Sequence, residues 1–157
     1  MKGTAAVLAA AGLCLLLQAP AWAADGPQPA SGTFVITSAT VESSRVVGGN
    51  TFLVIALTGN ATGTFDGPFV ETDREVIHPD GRATLLGTGT QYGTLGTCGI
   101  GSAQYVTQQQ GTATNLSGDF RFVDQATSTP VKIESVDKLT VDLAAGEATY
   151  TGTYHCT

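Results

Sequence analysis

The stretch GTGTQYGTLGTCGIG, residues 87–101, decides the fold, because its six glycines, four threonines and one cysteine admit three different interpretations. A phosphate-binding loop would need a G-x-G-x-x-G or G-x-x-x-x-G-K spacing before a helix, and the stretch has neither. A flexible linker is disfavoured because the apolar Leu95 and Ile100 interrupt the run. The remaining interpretation is a pair of glycine-rich strands, whose bare backbone permits sharp bending and leaves room for side chains from across an interior.

The chain on either side of this stretch has the texture of strands and turns. From residue 33 onward, short runs rich in Val, Ile, Thr, Phe and Tyr alternate with clusters of Gly, Asp, Asn and Pro, and no window is convincingly helical. Side chains in these runs alternate with period two, as strands require. Eight strands are predicted, over residues 33–41, 51–59, 68–78, 82–92, 100–108, 115–124, 131–143 and 147–156.

The connections between these strands are short. VGGN at 47–50, HPDG at 78–81 and AAGE at 144–147 have the composition of tight turns. Short turns favour pairing between strands that are neighbours in the chain. The sequence therefore predicts an all-β fold, an eight-stranded antiparallel up-and-down β-barrel, with a two-sheet β-sandwich as the alternative.

The N-terminus reads as a targeting segment. One Lys precedes an apolar run over residues 5–17, and Ala21 and Ala23 form a small-x-small cleavage site. The run is shorter than the roughly 20 residues that a membrane-spanning helix needs. We therefore predict a cleaved signal peptide over residues 1–23, a flexible lead-in over 24–32 that contains two prolines, and a single barrel domain over 33–157.

Charge and cysteine content limit the compartment and the partners. Without Lys2, six basic residues face thirteen acidic ones, so the mature chain is acidic and neither nucleic acid nor an anionic membrane is expected as a partner. Cys14 leaves with the signal, and Cys98 and Cys156 remain in a chain bound for an oxidising space. We predict that these two form a disulfide in a secreted or periplasmic protein; two buried free thiols are the alternative.

Three segments carry a family resemblance. They are TGTFDGPFVETDREVIHPDGRATLLGTGTQYGTLGTCGIGSAQYV (62–106), TNLSGDFRFV (114–123) and ATYTGTYHC (148–156). Their Asp-Gly turn, GTLG motif and aromatic closing strand resemble small bacterial barrel domains of unknown function, which are similar in fold to the allene oxide cyclase barrels. The resemblance implies an eight-stranded barrel whose interior, in some relatives, binds a small apolar molecule and assists a cyclisation. No cyclase catalytic residue can be placed on this sequence position by position.

The predicted strand over residues 68–78 carries the densest charge. Glu71, Asp73 and Glu75 share one face, with carboxylates about 7 Å apart along the strand. An inward orientation would raise at least one carboxyl pKa and create an interior or cation site. The alternative is a solvated outer face of an acidic protein.

Aromatic residues are the other candidates for a site. An apolar cavity is predicted to be lined by Tyr92, Tyr105, Tyr150, Tyr154, Phe120 and Phe122, with an ordinary barrel core as the alternative. The two histidines, His78 and His155, lack metal-ligand spacing and are expected at the surface. No cofactor motif, metal motif or G-x-S-x-G is present, so no catalytic residue is assigned.

Three hypotheses for function follow. The first is a secreted binding or interaction module for a small apolar ligand or a protein partner, and the second is an isomerase or cyclase like the allene oxide cyclases. The third is a structural envelope protein. An enclosed cavity of roughly 300 Å³ or more with a buried polar cluster would favour a ligand or enzyme role, whereas a barrel filled by side chains would favour an interaction module.

Overall fold

The computed structural model describes residues 26–123 and 127–157, and it shows eight strands joined by short connections. The predicted signal peptide, residues 1–23, lies outside the described residues. In the described part of the chain, no helix is long and apolar enough to cross a membrane. The strands are β1 (Gln28–Val47), β2 (Asn50–Gly63), β3 (Phe65–Ile77), β4 (Arg82–Leu95), β5 (Ile100–Thr112), β6 (Asn115–Val123), β7 (Ile133–Asp142) and β8 (Glu147–Cys156).

The strands form one closed barrel. Each strand pairs antiparallel with its neighbour in the chain, and β8 returns to pair with β1 from Gln28 opposite Tyr154 to Val35 opposite Glu147. Closure supplies hydrogen-bond partners for backbone N–H and C=O groups that would be unpaired at the edges of an open sheet. The predicted up-and-down barrel is confirmed, and the β-sandwich alternative is wrong.

The segment predicted as a flexible lead-in contributes to closure. β1 begins at Gln28, so residues 28–32 are strand and not lead-in. Ala30 is buried in the core, although Pro29 beside it lacks a backbone donor. The prolines suggested a flexible segment, but ladder hydrogen bonds depend on the backbone and on a partner strand, and β8 supplies that partner.

The two ends of the barrel differ. We call the closed end the one that carries the turn at 96–99 and the last residues of β8. Aromatic rings fill it: Phe65 stacks on Tyr150 with centroids 5.1 Å apart, and Phe122 meets Phe65 edge-on at 4.9 Å. Such pairs stabilise a core beyond the area they bury. The Tyr150 hydroxyl accepts a hydrogen bond from the Phe65 backbone N–H at 2.8 Å.

The glycine-rich stretch and the disulfide meet at this closed end. Gly96 has φ +57°, and a side chain there would collide with the Tyr154 ring. The Tyr154 hydroxyl accepts a hydrogen bond from the Thr97 N–H at 3.1 Å. Cys98 is bonded to Cys156 with Cα atoms 5.2 Å apart, which confirms the predicted disulfide and fastens β8 to the turn after β4.

The opposite end, with the turns at 48–49, 78–81, 113–114 and 143–146, is the open end. Beyond Val35, β1 bends at two register shifts, between Ile36 and Ser38 and between Val41 and Ser43, and continues as a long hairpin with β2. In the outer part of this hairpin, residues 38–47 of β1 are exposed, and they project past the last β1–β8 pair.

The disulfide supports a prediction about stability. Replacing both cysteines, Cys98→Ser with Cys156→Ser, should lower the free energy of unfolding by about 4 kcal/mol, because the bond closes a long loop of the unfolded chain. Urea denaturation measures this. The control Thr153→Ser, on the exposed face of β8, should change the value by less than about 0.5 kcal/mol. A loss below about 1 kcal/mol in the double variant would contradict the prediction.

Candidate functional site

Strand β3 turns its three carboxyl groups toward the barrel interior. Asp73 is 4% exposed and Glu75 is 3% exposed, and Glu71 is half-buried on the same face. The solvated outer face is therefore not where these groups lie; the residues that alternate with them, Thr72 and Arg74, are exposed. The buried Phe69 is in phase with the carboxylates and lies on the same inward face.

Two glycines of β4 lie directly opposite these carboxylates. Glu71 pairs with Gly89, and Asp73 pairs with Gly87. A side chain at Gly87 would collide with the Glu71 and Asp73 carboxyl oxygens and with the Thr107 hydroxyl. The bare backbone of β4 is thus a gap across which side chains of β3 and β5 meet.

Strand β5 supplies hydroxyl donors across this gap. The Tyr105 hydroxyl donates to Glu71 Oε2 at 2.9 Å, and the Thr107 hydroxyl donates to Glu71 Oε1 at 3.1 Å. Both oxygens of Glu71 are therefore satisfied. These bonds hold Glu71 in a fixed orientation beside Asp73.

The interior environment alters the proton affinity of these groups. Burial, reinforced by the charge of Glu71 and a hydrogen bond with it, raises the pKa of Asp73 to about 9. Burial also raises the pKa of Glu75. Burial, and secondarily the charge of Glu71, raise the pKa of Tyr105 well above its ordinary value. Asp73 therefore carries a proton at neutral pH, beside a carboxylate that accepts two hydrogen bonds.

Space adjoins this cluster at the open end. A narrow inner cavity of about 40 Å³ lies against Glu71, Asp73 and Tyr105, with apolar walls that include Phe34 and Phe120. A wider cavity of about 380 Å³ continues from it to the solvent. We call this wider cavity the mouth; it is lined by Ile36, Thr37, Ser38, Ala39, Val41, Ile55, Leu57, Asp73, Glu75, Leu85, Leu143 and Gly146.

The aromatic residues predicted to line a cavity divide into three groups. Tyr105 and Phe120 line the inner cavity. Phe122, Tyr150 and Tyr154 are buried in the packed core, as the alternative interpretation had it.

Tyr92 lies elsewhere and does not line the interior. It is 38% exposed on the outer face, because its neighbour Gln91 takes the inward position of β4.

The histidines lie away from the cavity. His78 Nδ1 is 2.9 Å from Asn50 Oδ1 beside a turn, and His155 is half-exposed, 3.5 Å from the Glu134 carboxylate. Across the described ranges, no three His, Cys, Asp or Glu side chains are grouped so that they could hold a metal ion. The carboxylates of β3 thus gain no support as a metal site.

Sequence reasoning missed one interior carboxyl group. Asp137 on β7 is 1% exposed, and burial, partly opposed by a hydrogen bond with Ser135, raises its pKa to about 6. The signal was present, because Asp137 alternates in phase with the buried Ile133, Leu139 and Val141.

No protein-family model matches this chain, and no curated protein matches it in sequence.

The gap in β4 leads to a second prediction. Gly87→Ala should lower the free energy of unfolding by about 1–3 kcal/mol, because the added methyl group displaces the carboxyl groups and the Thr107 hydroxyl. Gly26→Ala is the matched control, since a methyl group there meets no atom within 4 Å. Urea denaturation of both variants measures the difference. Equal stabilities would contradict the packing described for Gly87.

The buried acid leads to a third prediction. An acid with a raised pKa in the folded state stabilises the fold at low pH, and this contribution decreases as the pH rises from the usual Asp range toward about 9. Asp73→Asn should therefore lose less stability than the natural chain between about pH 5 and about pH 8. Glu42→Gln, at an exposed position, should follow the natural chain. If the free energy of unfolding, measured by urea denaturation at each pH, changes in parallel for Asp73→Asn and the natural chain, a buried, protonated Asp73 is contradicted.

Proposed function

We propose that this protein is a secreted binding protein that holds a small, largely apolar molecule at the open end of its barrel. The observation that carries this proposal is the mouth, a cavity of about 380 Å³ that lies over buried carboxyl groups. Ligand sites generally combine apolar walls with a few polar groups that fix orientation, at volumes of about 300–1,000 Å³. The mouth has this size and this composition, although it is open to solvent and not the enclosed cavity that the sequence analysis named as the criterion.

The contrast between the two ends of the barrel supports a ligand role over a purely structural one. Aromatic side chains pack the closed end, and the disulfide fastens it. At the open end, apolar residues such as Ile55 and Leu57 remain accessible beside Asp73 and Glu75. Burying carboxyl groups costs stability, so their presence beside an accessible cavity favours a functional explanation.

Export to an oxidising compartment is part of the proposal. The disulfide fits a protein outside the cytoplasm, since cytosolic thiols are usually kept reduced. The predicted signal peptide points the same way.

A second candidate is the isomerase or cyclase implied by the family resemblance. The specific observation in its favour is a protonated Asp73 beside the ionised Glu71 at the cavity, a pairing suited to general acid and base roles. Incubation with an unsaturated fatty-acid epoxide tests it. A new isomer of unchanged mass, absent with Asp73→Asn, would support this candidate; an unchanged epoxide would contradict it.

Binding at the mouth is tested by blocking it. The neutral fluorophore N-phenyl-1-naphthylamine should brighten on binding to the apolar cavity, and Ala39→Trp should weaken its affinity about tenfold or more by filling the mouth. Thr40→Trp is the matched control, because the exposed side chain of Thr40, next to Ala39 in the strand, does not line the mouth. No fluorescence change with the natural chain, or equal affinities for both variants, would contradict the proposal.

A further inference from the structure

Three polar atoms beside the cavities are acceptors without donors. Asp73 Oδ1, Glu75 Oε1 and Gln109 Oε1 are buried, and no group among the described residues hydrogen-bonds to any of them. Gln109 is 6% exposed and lines the inner cavity next to Glu71 and Asp73. Unpaired buried oxygen atoms cost free energy. Asp73 lines both cavities, Glu75 lines the mouth, and Gln109 lines the inner cavity.

Positive charge is absent from the same space. No Lys or Arg of the described ranges lines the inner cavity or the mouth. The basic residues near this end point outward: Arg74 is exposed on the outer face of β3, and Lys138 pairs with Asp119 on the outside of the barrel. Within the barrel, the donors that the Glu71 carboxylate meets are neutral, and they include the hydroxyl groups of Tyr105 and Thr107.

From this arrangement we propose that the site is selective for a small amphiphile with a cationic amine head, whose ammonium group sits against Asp73 and Glu75 while its apolar body occupies the mouth. This inference rests on the proposed binding function and adds the chemical class of the ligand. An ammonium group brings three donors and one positive charge, which suit unpaired carboxyl oxygen atoms in a cluster of acids. A hydroxyl head brings a single donor, and a carboxylate head adds repulsion.

Ammonium binding would move a proton. Asp73 is protonated in the free protein at neutral pH, and a nearby cation favours its ionised form, so binding releases a proton to solvent. The titratable groups that face Asp73 are Glu71 and Glu75 on its own strand and Tyr105 on β5; its direct neighbours are Ile55 on β2 and Gly87 on β4, which do not titrate. Amine affinity is therefore expected to rise as the pH rises from about 6 toward about 9, because less work is then needed to ionise Asp73.

Three probes with eight carbon atoms each and different head groups separate these ideas. Octylamine, 1-octanol and octanoate are each titrated into the natural chain as competitors of N-phenyl-1-naphthylamine. Octylamine should bind about tenfold or more tightly than 1-octanol, and octanoate should bind weakest. An alkylammonium group, like the Lys side chain with its pKa of about 10.4, stays charged over this pH range.

Matched variants identify the groups responsible. Asp73→Asn and Glu75→Gln keep the side-chain shape. Each should weaken the affinity for octylamine about tenfold and change the affinity for 1-octanol less than about threefold. Glu134→Gln removes the same charge from an exposed position at the closed end and should leave all three affinities unchanged. Calorimetry in buffers of different ionisation enthalpy should show proton release with octylamine, and none with Asp73→Asn.

The outcomes distinguish this inference from the binding function beneath it. If 1-octanol or octanoate binds the natural chain as tightly as octylamine, the amine inference is overturned and the binding function stands. If no probe binds, the fluorophore included, both fail. These comparisons use the natural chain, so they hold even if a variant does not fold.

Discussion

Closure of the sheet between β1 and β8 is the constraint on which the rest of the structure depends. Once residues 28–35 pair with 147–154, every strand has one interior face and one exterior face, and side-chain parity alone decides which groups are enclosed. The inward phase of β3, which the buried Phe69 shares, then brings Asp73 and Glu75 inside together. An open sheet could turn the same face to water.

The two ends of the barrel differ in what they contribute: the closed end stabilises the fold, and the open end carries the candidate site. Stacked rings such as Phe65 and Tyr150, together with the disulfide, stabilise the closed end. The open end carries buried carboxyl groups that oppose folding at neutral pH. The stabilised end therefore allows the open end to keep a polar cluster that the fold does not need. Gly87 and Gly89 make that cluster sterically possible.

Much of the architecture could be predicted from the sequence, because turns and alternating side chains are local signals. The eight strands, their order and the pairing of Cys98 with Cys156 were all legible. The pairing of residues 28–32 with β8 was not, because it depends on a strand more than a hundred residues away. The carboxylates of β3 shared a face in the sequence, yet which face was inward depended on packing. Asp137 was missed because a charged residue is usually exposed, whereas this one lies on the inward face of β7.

The central claim is that the carboxyl group of Asp73 lies inside the barrel, buried at the base of an open mouth. Titration of its side-chain carboxyl carbon by ¹³C nuclear magnetic resonance tests this most directly. The account predicts that Asp73 stays protonated through neutral pH and titrates near pH 9, to which burial and Glu71 raise its pKa. A transition near pH 4, the value of an exposed aspartate, would contradict it.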